Sequence, residues 1–234
     1  MNKLWKDFLR LNTCCYKGMA TGTSDLKIWN ETFRAFVNAL EAEREIKADF
    51  GQEYYELEDE LDYRYDVTEW MEDYLDELDV REEYDALIEA CNRILTLFQW
   101  KEDQPSDFKF RIASALGNQG KFQEAYEFCE EWYRSEADNI LAATATVYAR
   151  IGIREMDGAG EIIRKFITDS TVCGEENDIM YMAAETYYKV IGDKKQEKKI
   201  SQALKRYEKE LEEYFMSWDE EDGLDFLDEE DMPF

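Results

Sequence analysis

The sequence predicts an all-α protein of helical hairpins, with an N-terminal helical extension and an acidic tail. Three observations carry that reading. Apolar residues recur at intervals of three and four over most of the 234 residues, while alternation at period two rarely persists. Only two prolines, Pro105 and Pro233, interrupt the chain. Apolar side chains make up 44% and aromatic ones 15%, enough for a substantial core although 36% of residues are charged.

The elements follow in order. Residues 1–67 form the N-terminal helical region, opening with a short helix around Leu4, Trp5, Phe8 and Leu9. The stretch from Gly18 to Asp25 reads as a loop, with Thr23, Ser24 or Asp25 placed to cap the next helix. In that helix Trp29, Phe33, Phe36, Val37 and Leu40 form one face, and Gly51 is the natural stop. Tyr54, Leu57, Leu61 and Tyr65 then mark a helical face over 53–65. Residues 68–216 read as hairpins. Helices bearing Trp70 to Leu78 and Tyr84 to Leu95 meet at a turn over 79–82, and a loop at 101–107 follows. Further helices are expected at 109–118, 122–134, 140–151, 157–168, 178–191 and 194–215, with Gly120, Gly152 and Gly192 at turns. Those glycines are spaced 32 and 40 residues apart. Residues 217–234 are the acidic tail, expected to lack stable structure because nine carboxylates repel one another there without a single basic residue.

Residues 106–139 resemble a tetratricopeptide repeat. Phe110, Ile112, Ala113, Leu116, Gly120, Phe122, Ala125, Cys129 and Trp132 fall at that family's spacing. Small residues such as Ala113 and Ala125 let two helices approach closely, and larger ones fill the stacked core. The match at 140–173 needs a two-residue insertion before Ala159. At 178–211 Glu197 stands where the family has alanine, and an upstream unit at 68–101 lacks the turn glycine. The resemblance implies a short right-handed array of antiparallel helical hairpins with a groove lined by first helices, which carries over to Arg111, Ser114, Asn118, Thr146, Arg150, Thr186 and Lys189. Such a strip is mildly basic and suited to a carboxylate-bearing peptide. Phe110 and Ser114 stand where the family's chaperone-tail clamp has Lys and Asn, so that ligand is not implied.

Charge narrows the function classes. Fifty-six acidic residues against 28 basic ones give a net charge of −28. Counterion release at phosphates requires Lys and Arg, so direct nucleic-acid binding and attachment to anionic membranes are not expected. A protein or peptide partner is expected, with a basic surface the natural complement. Residues 41–85 hold 20 acidic against 4 basic side chains, the most negative part of the folded body. The tail interleaves carboxylates such as Asp219 and Asp231 with Trp218, Phe226 and Phe234, which reads as a recognition segment. A cluster of Lys189, Lys194, Lys195, Lys198, Lys199, Lys205 and Arg206 lies just upstream and can neutralise it.

Catalysis is not expected. Histidine is absent, which removes imidazole bases, triads and histidine metal sites. The five cysteines are odd in number, and none forms a Cys-x-x-Cys pair. No Asp-x-Asp-x-Asp-Gly loop occurs, and Gly158-Ala-Gly160 lacks the strand and Lys-Ser/Thr of a phosphate loop. Neither cofactor nor metal is expected. A charged N-terminus without a signal-like apolar core, and no apolar run of about 18 residues, lead to the expectation of a cytoplasmic protein. The reading is an adaptor or regulator that binds a protein or peptide. Its competitor is an acidic inhibitor that imitates nucleic acid to block a basic site on an enzyme.

Overall fold

The computed structural model describes residues 3–102 and 104–222, with side chains as far as residue 216. Among them every regular element is a helix: α1 Lys3–Ala20, α2 Leu26–Ile46, the single-turn α3 Leu57–Glu60, α4 Val67–Val80, α5 Tyr84–Leu97, α6 Ser106–Asn118, α7 Phe122–Ser135, α8 Ile140–Gly152, α9 Met156–Phe166, α10 Asp178–Ile191 and α11 Lys194–Asp222. Helices adjacent in sequence pack in pairs, and the chain forms two compact units, Met1–Lys121 and Phe122–Phe234. Among the described residues no helix is long and apolar enough to cross a membrane.

In the first unit α1 pairs with α2 and α5 with α6, while α4 packs on α2, α3 and α5. Asp25 caps α2, its carboxylate accepting from the Lys27 amide at 2.9 Å. Trp5, Phe8, Trp29, Phe36 and Trp70 are fully buried and pack edge-on or stacked, so aromatic area carries this core. Two of the expected hairpin partners change. The unit boundary falls between Lys121 and Phe122, so α6 belongs with α5, and α7 with α8. Ala113 is half-buried where Ala115 and Leu116 of the same helix are fully covered.

The expected helix over 53–65 is mostly turns around α3. Tyr54, Leu57, Leu61 and Tyr65 are buried as expected, but the backbone carrying them is not helical throughout. Asp62, Tyr63 and Asp66 adopt φ of 53°, 51° and 48°, left-handed values that end a right-handed helix. Carboxylates at Glu56, Glu58, Asp59, Glu60 and Asp62 would repel along such a helix at three- and four-residue spacing. One of them is reused. Glu58 is buried and accepts from the Thr68 amide at 2.9 Å and the Thr68 hydroxyl at 3.3 Å, capping α4 where Asp66 supplies no side-chain cap.

The end of α2 is held by Arg44. Its guanidinium donates to the carbonyls of Phe50 at 3.0 Å, Leu97 at 2.6 Å and Gly51. It also lies 5.3 Å from the Phe98 ring centroid.

In the second unit α8 is central, packing on α7, α9 and α10. Its run Ala142-Ala143-Thr144-Ala145-Thr146-Val147 is buried on every side, and these small residues let three neighbours approach. Asn139 caps the helix by accepting from Leu141 and Ala142. Gly120 and Gly192 occupy turns with φ of 73° and 78°. Gly152 does not: Arg154 takes the left-handed position, at φ 66°, and a Cβ on Gly152 would meet Phe122 Cδ1 at 2.9 Å. Gly158 and Gly160 sit inside α9, where side chains of Arg150 and Tyr187 occupy the space a Cβ would need. They serve close packing. Helix α11 buries Ile200, Ala203 and Leu204, whereas Tyr214, Phe215 and Met216 are 54%, 64% and 71% exposed. It runs on through 217–222, beyond the point where a structureless tail was expected. Phe226, Asp231 and Phe234 lie outside the described residues, as do the side chains of Trp218 and Asp219.

Candidate functional site

A groove of about 700 Å³ lies in the first unit. One wall is α2, which offers Asn30, Phe33, Arg34, Val37 and Asn38, a single face at three- and four-residue spacing. Helix α5 forms the other wall with Glu89, Asn92, Arg93 and Thr96, and Tyr74 of α4 reaches in between. The volume falls in the range of sites that enclose a small ligand or a short peptide.

An aromatic stack sets this floor. Trp29 lies 6.1 Å from Trp70 at 14°, Trp70 is 5.5 Å from Tyr74 at 5°, and Tyr74 is 5.2 Å from Phe33 at 26°. The buried end of the stack is core, and the other end is groove. The Tyr74 hydroxyl donates to Asn30 Oδ1 at 2.7 Å. That bond fixes the amide, because its acceptor is satisfied from inside and its two N–H donors remain for the groove. Burial pushes the Tyr74 pKa well above the ordinary range, with Arg34 acting in the opposite sense, so the hydroxyl stays a donor.

The two arginines differ. Arg93 is ion-paired with Glu41 of α2. Arg34 is exposed, and no described carboxylate lies within ion-pairing distance of it. In a chain of net charge −28, Glu41 offsets Arg93, and Arg34 stands in the groove against the single lining carboxylate of Glu89. Phe33 and Val37 read in sequence as core-face residues, and Arg34 was not singled out. A signal was present: Asn30 and Asn38 flank Phe33 and Val37 at positions where a purely buried face would be apolar.

The residues expected to line a groove fall in both units. In the first unit, Arg111 of α6 pairs with Asp76 of α4 at 2.7 Å, while Ser114 and Asn118 are exposed on the same helix. In the second unit Thr146 is fully buried, and its hydroxyl donates to the carbonyls of Cys129 at 3.1 Å and Ala142 at 2.8 Å. Arg150 is 17% exposed and held by Glu130 at 2.6 Å and Glu155 at 3.3 Å. Both serve the packing of α8, because a small helix with three neighbours leaves its polar groups no outlet to solvent. Thr186 is half-buried and Lys189 exposed on α10.

All five cysteines are free thiols, and among the described residues no cluster of three or more Cys, Asp or Glu could hold a metal ion. The groove assembles amides, guanidinium groups and aromatic faces beside the carboxylate of Glu89. Fold and site together define, among the described residues, an all-helical protein with a polar, arginine-bearing recess in a strongly acidic chain. No family model, curated protein or solved structure matches this chain.

Proposed function

We propose that the chain is a protein-interaction module of the tetratricopeptide-like helical-hairpin kind, an adaptor or regulator whose α2–α5 groove takes a peptide segment of a partner protein. One observation carries the reading: in a strongly acidic chain the α2–α5 groove gathers Arg34, Arg93 and three asparagines beside a single lining carboxylate. Amides and guanidinium groups pair with peptide backbone and carboxylates, and the Phe33–Tyr74 stack offers an apolar bed.

The test is to fill the groove. Val37→Trp and Ala86→Trp place bulk against the two walls, while Lys27→Ala alters exposed surface on α2 outside the recess. A partner captured from the native host by the unaltered protein should be lost from both tryptophan variants and kept by Lys27→Ala, all three showing the parental thermal transition. Equal capture by the filled variants sinks the reading.

The acidic face of α4 favours a second reading. Glu69, Glu72, Asp76 and Asp79 are exposed along one side of that helix. A nucleic-acid-imitating inhibitor would use this row against a basic enzyme surface. Changing the four to Gln and Asn would then abolish capture, and filling the groove would not.

A further inference from the structure

We infer that the groove's ligand is an extended segment of a second protein bearing an Asp or Glu side chain, which seats its carboxylate on Arg34 and the Asn30 amide; this rests on the groove being the binding site. Asn30, Arg34 and Asn38 are spaced by four residues, so they form one stripe along α2 with steps of about 6 Å. The Tyr74 hydroxyl donates to the Asn30 oxygen at 2.7 Å, which orients the amide and leaves its two N–H donors for a ligand. Arg34 adds a planar fork of N–H groups, and no described carboxylate neutralises it. Two adjacent donor groups, one of them charged, fit an anionic oxygen pair.

The lining also decides between an extended and a helical occupant. A docked amphipathic helix satisfies its own backbone and needs an apolar trough. An extended segment leaves N–H and C=O groups unpaired along its edges, and amide side chains supply both complements. Asn38 on one wall, with Asn92 and Thr96 on the other, are placed for that. Wall length agrees: residues 30–38 and 86–96 span about 12 and 15 Å at 1.5 Å per residue, which an extended chain covers with four or five residues.

The experiment uses the full chain and an array of immobilised, randomised octapeptides at 0.15 M salt. Peptides retained by the protein should carry Asp or Glu at one recurrent position, and the matched Asn or Gln peptides should bind about tenfold or more weakly, as expected when a charge-assisted bond is lost. Arg34→Gln should erase that preference while the uncharged peptides bind as before, and Arg34→Lys should restore part of it. Retained peptides without a carboxylate preference, or the same selection by Arg34→Gln, would overturn the inference and leave the binding groove standing. If no peptide is retained and the tryptophan-filled variants capture the native partner normally, both readings fall.

Discussion

The guanidinium of Arg44 donates to the carbonyl oxygen of Leu97 at 2.6 Å, across 53 residues of sequence. Through the same group the end of α2 is joined to Phe50 and Gly51. A cation on three carbonyls is well placed only because its planar fork matches them. Arg44→Met should cost about 2–4 kcal/mol, since three charge-assisted bonds go and water reaches part of the site. Arg44→Lys should recover less than half, because an ammonium cannot span the three oxygens. Urea midpoints measure both, and unchanged midpoints would show that the clamp is idle.

Gly158 makes room for Arg150. An alanine there would put its Cβ on the Arg150 guanidinium, which Glu130 and Glu155 hold in place. Gly158→Ala should therefore destabilise by about 1–3 kcal/mol despite the better helix propensity of alanine. Combined with Arg150→Ala, the substitution should cost less than it does alone, the remaining loss coming from the Glu155 carboxylate that the same Cβ meets, a non-additivity that a double-mutant cycle reads directly.

Trp132 is 4% exposed on α7, and its indole donates to Glu136 Oε2 at 2.9 Å. Trp132→Ala should cost about 3–5 kcal/mol, and Trp132→Phe considerably less. A loss below 1 kcal/mol for the alanine variant would contradict a core role.

Burial pushes the Cys91 and Cys129 thiols up to about 12. Native protein at pH 8 should resist iodoacetamide at both positions, the thiolate being about one part in ten thousand there, and unfolding should release them. The sign for stability follows from the same shift. The unfolded thiol ionises near about pH 8.5, so the folded state holds its proton more tightly. Their contribution is complete below about pH 8.5 and declines as pH rises toward about 12. Urea unfolding at steps between pH 8 and 9.5 should show that decline before tyrosine ionisation adds to it.

Salt separates the two binding readings by direction. A carboxylate peptide entering the groove is repelled at long range by the charge of −28, while its contact with Arg34 is short. Raising salt from 0.01 to 0.15 M shortens the Debye length from about 30 to 8 Å, so affinity should rise or hold. A basic partner on the acidic face of α4 should weaken over the same range.

Where cap and turn chemistry is local, the chain was legible. Helices α7 to α10 begin and end within two residues of expectation, because Asn139, Gly120 and Gly192 act on their own neighbourhoods. Residues 53–65 were not. Buried side chains at three- and four-residue spacing are shared by a helix and by turns folded over the same core, and only the left-handed Asp62 and Tyr63 distinguish them. Nor was the groove legible, since Phe33 and Val37 obey the same periodicity as the core residues beside them. Whether such a face is covered depends on how far α5 stands from α2, a distance written in tertiary packing. The family resemblance placed ligand contacts at Thr146 and Arg150, which the crowding of α8 had already taken for its own satisfaction.

Helix α11 has 29 residues and its hairpin partner α10 has 14. At 1.5 Å per residue one rod is about 43 Å long and the other about 21 Å, so the longer one outruns its cover near Tyr207. Amide hydrogens around Ile200 and Leu204 can exchange only when the hairpin opens, whereas those from Tyr207 to Met216 need only local uncoiling. The protection profile of this one helix should therefore fall steeply along its length, with slow exchange at one end and fast exchange at the other.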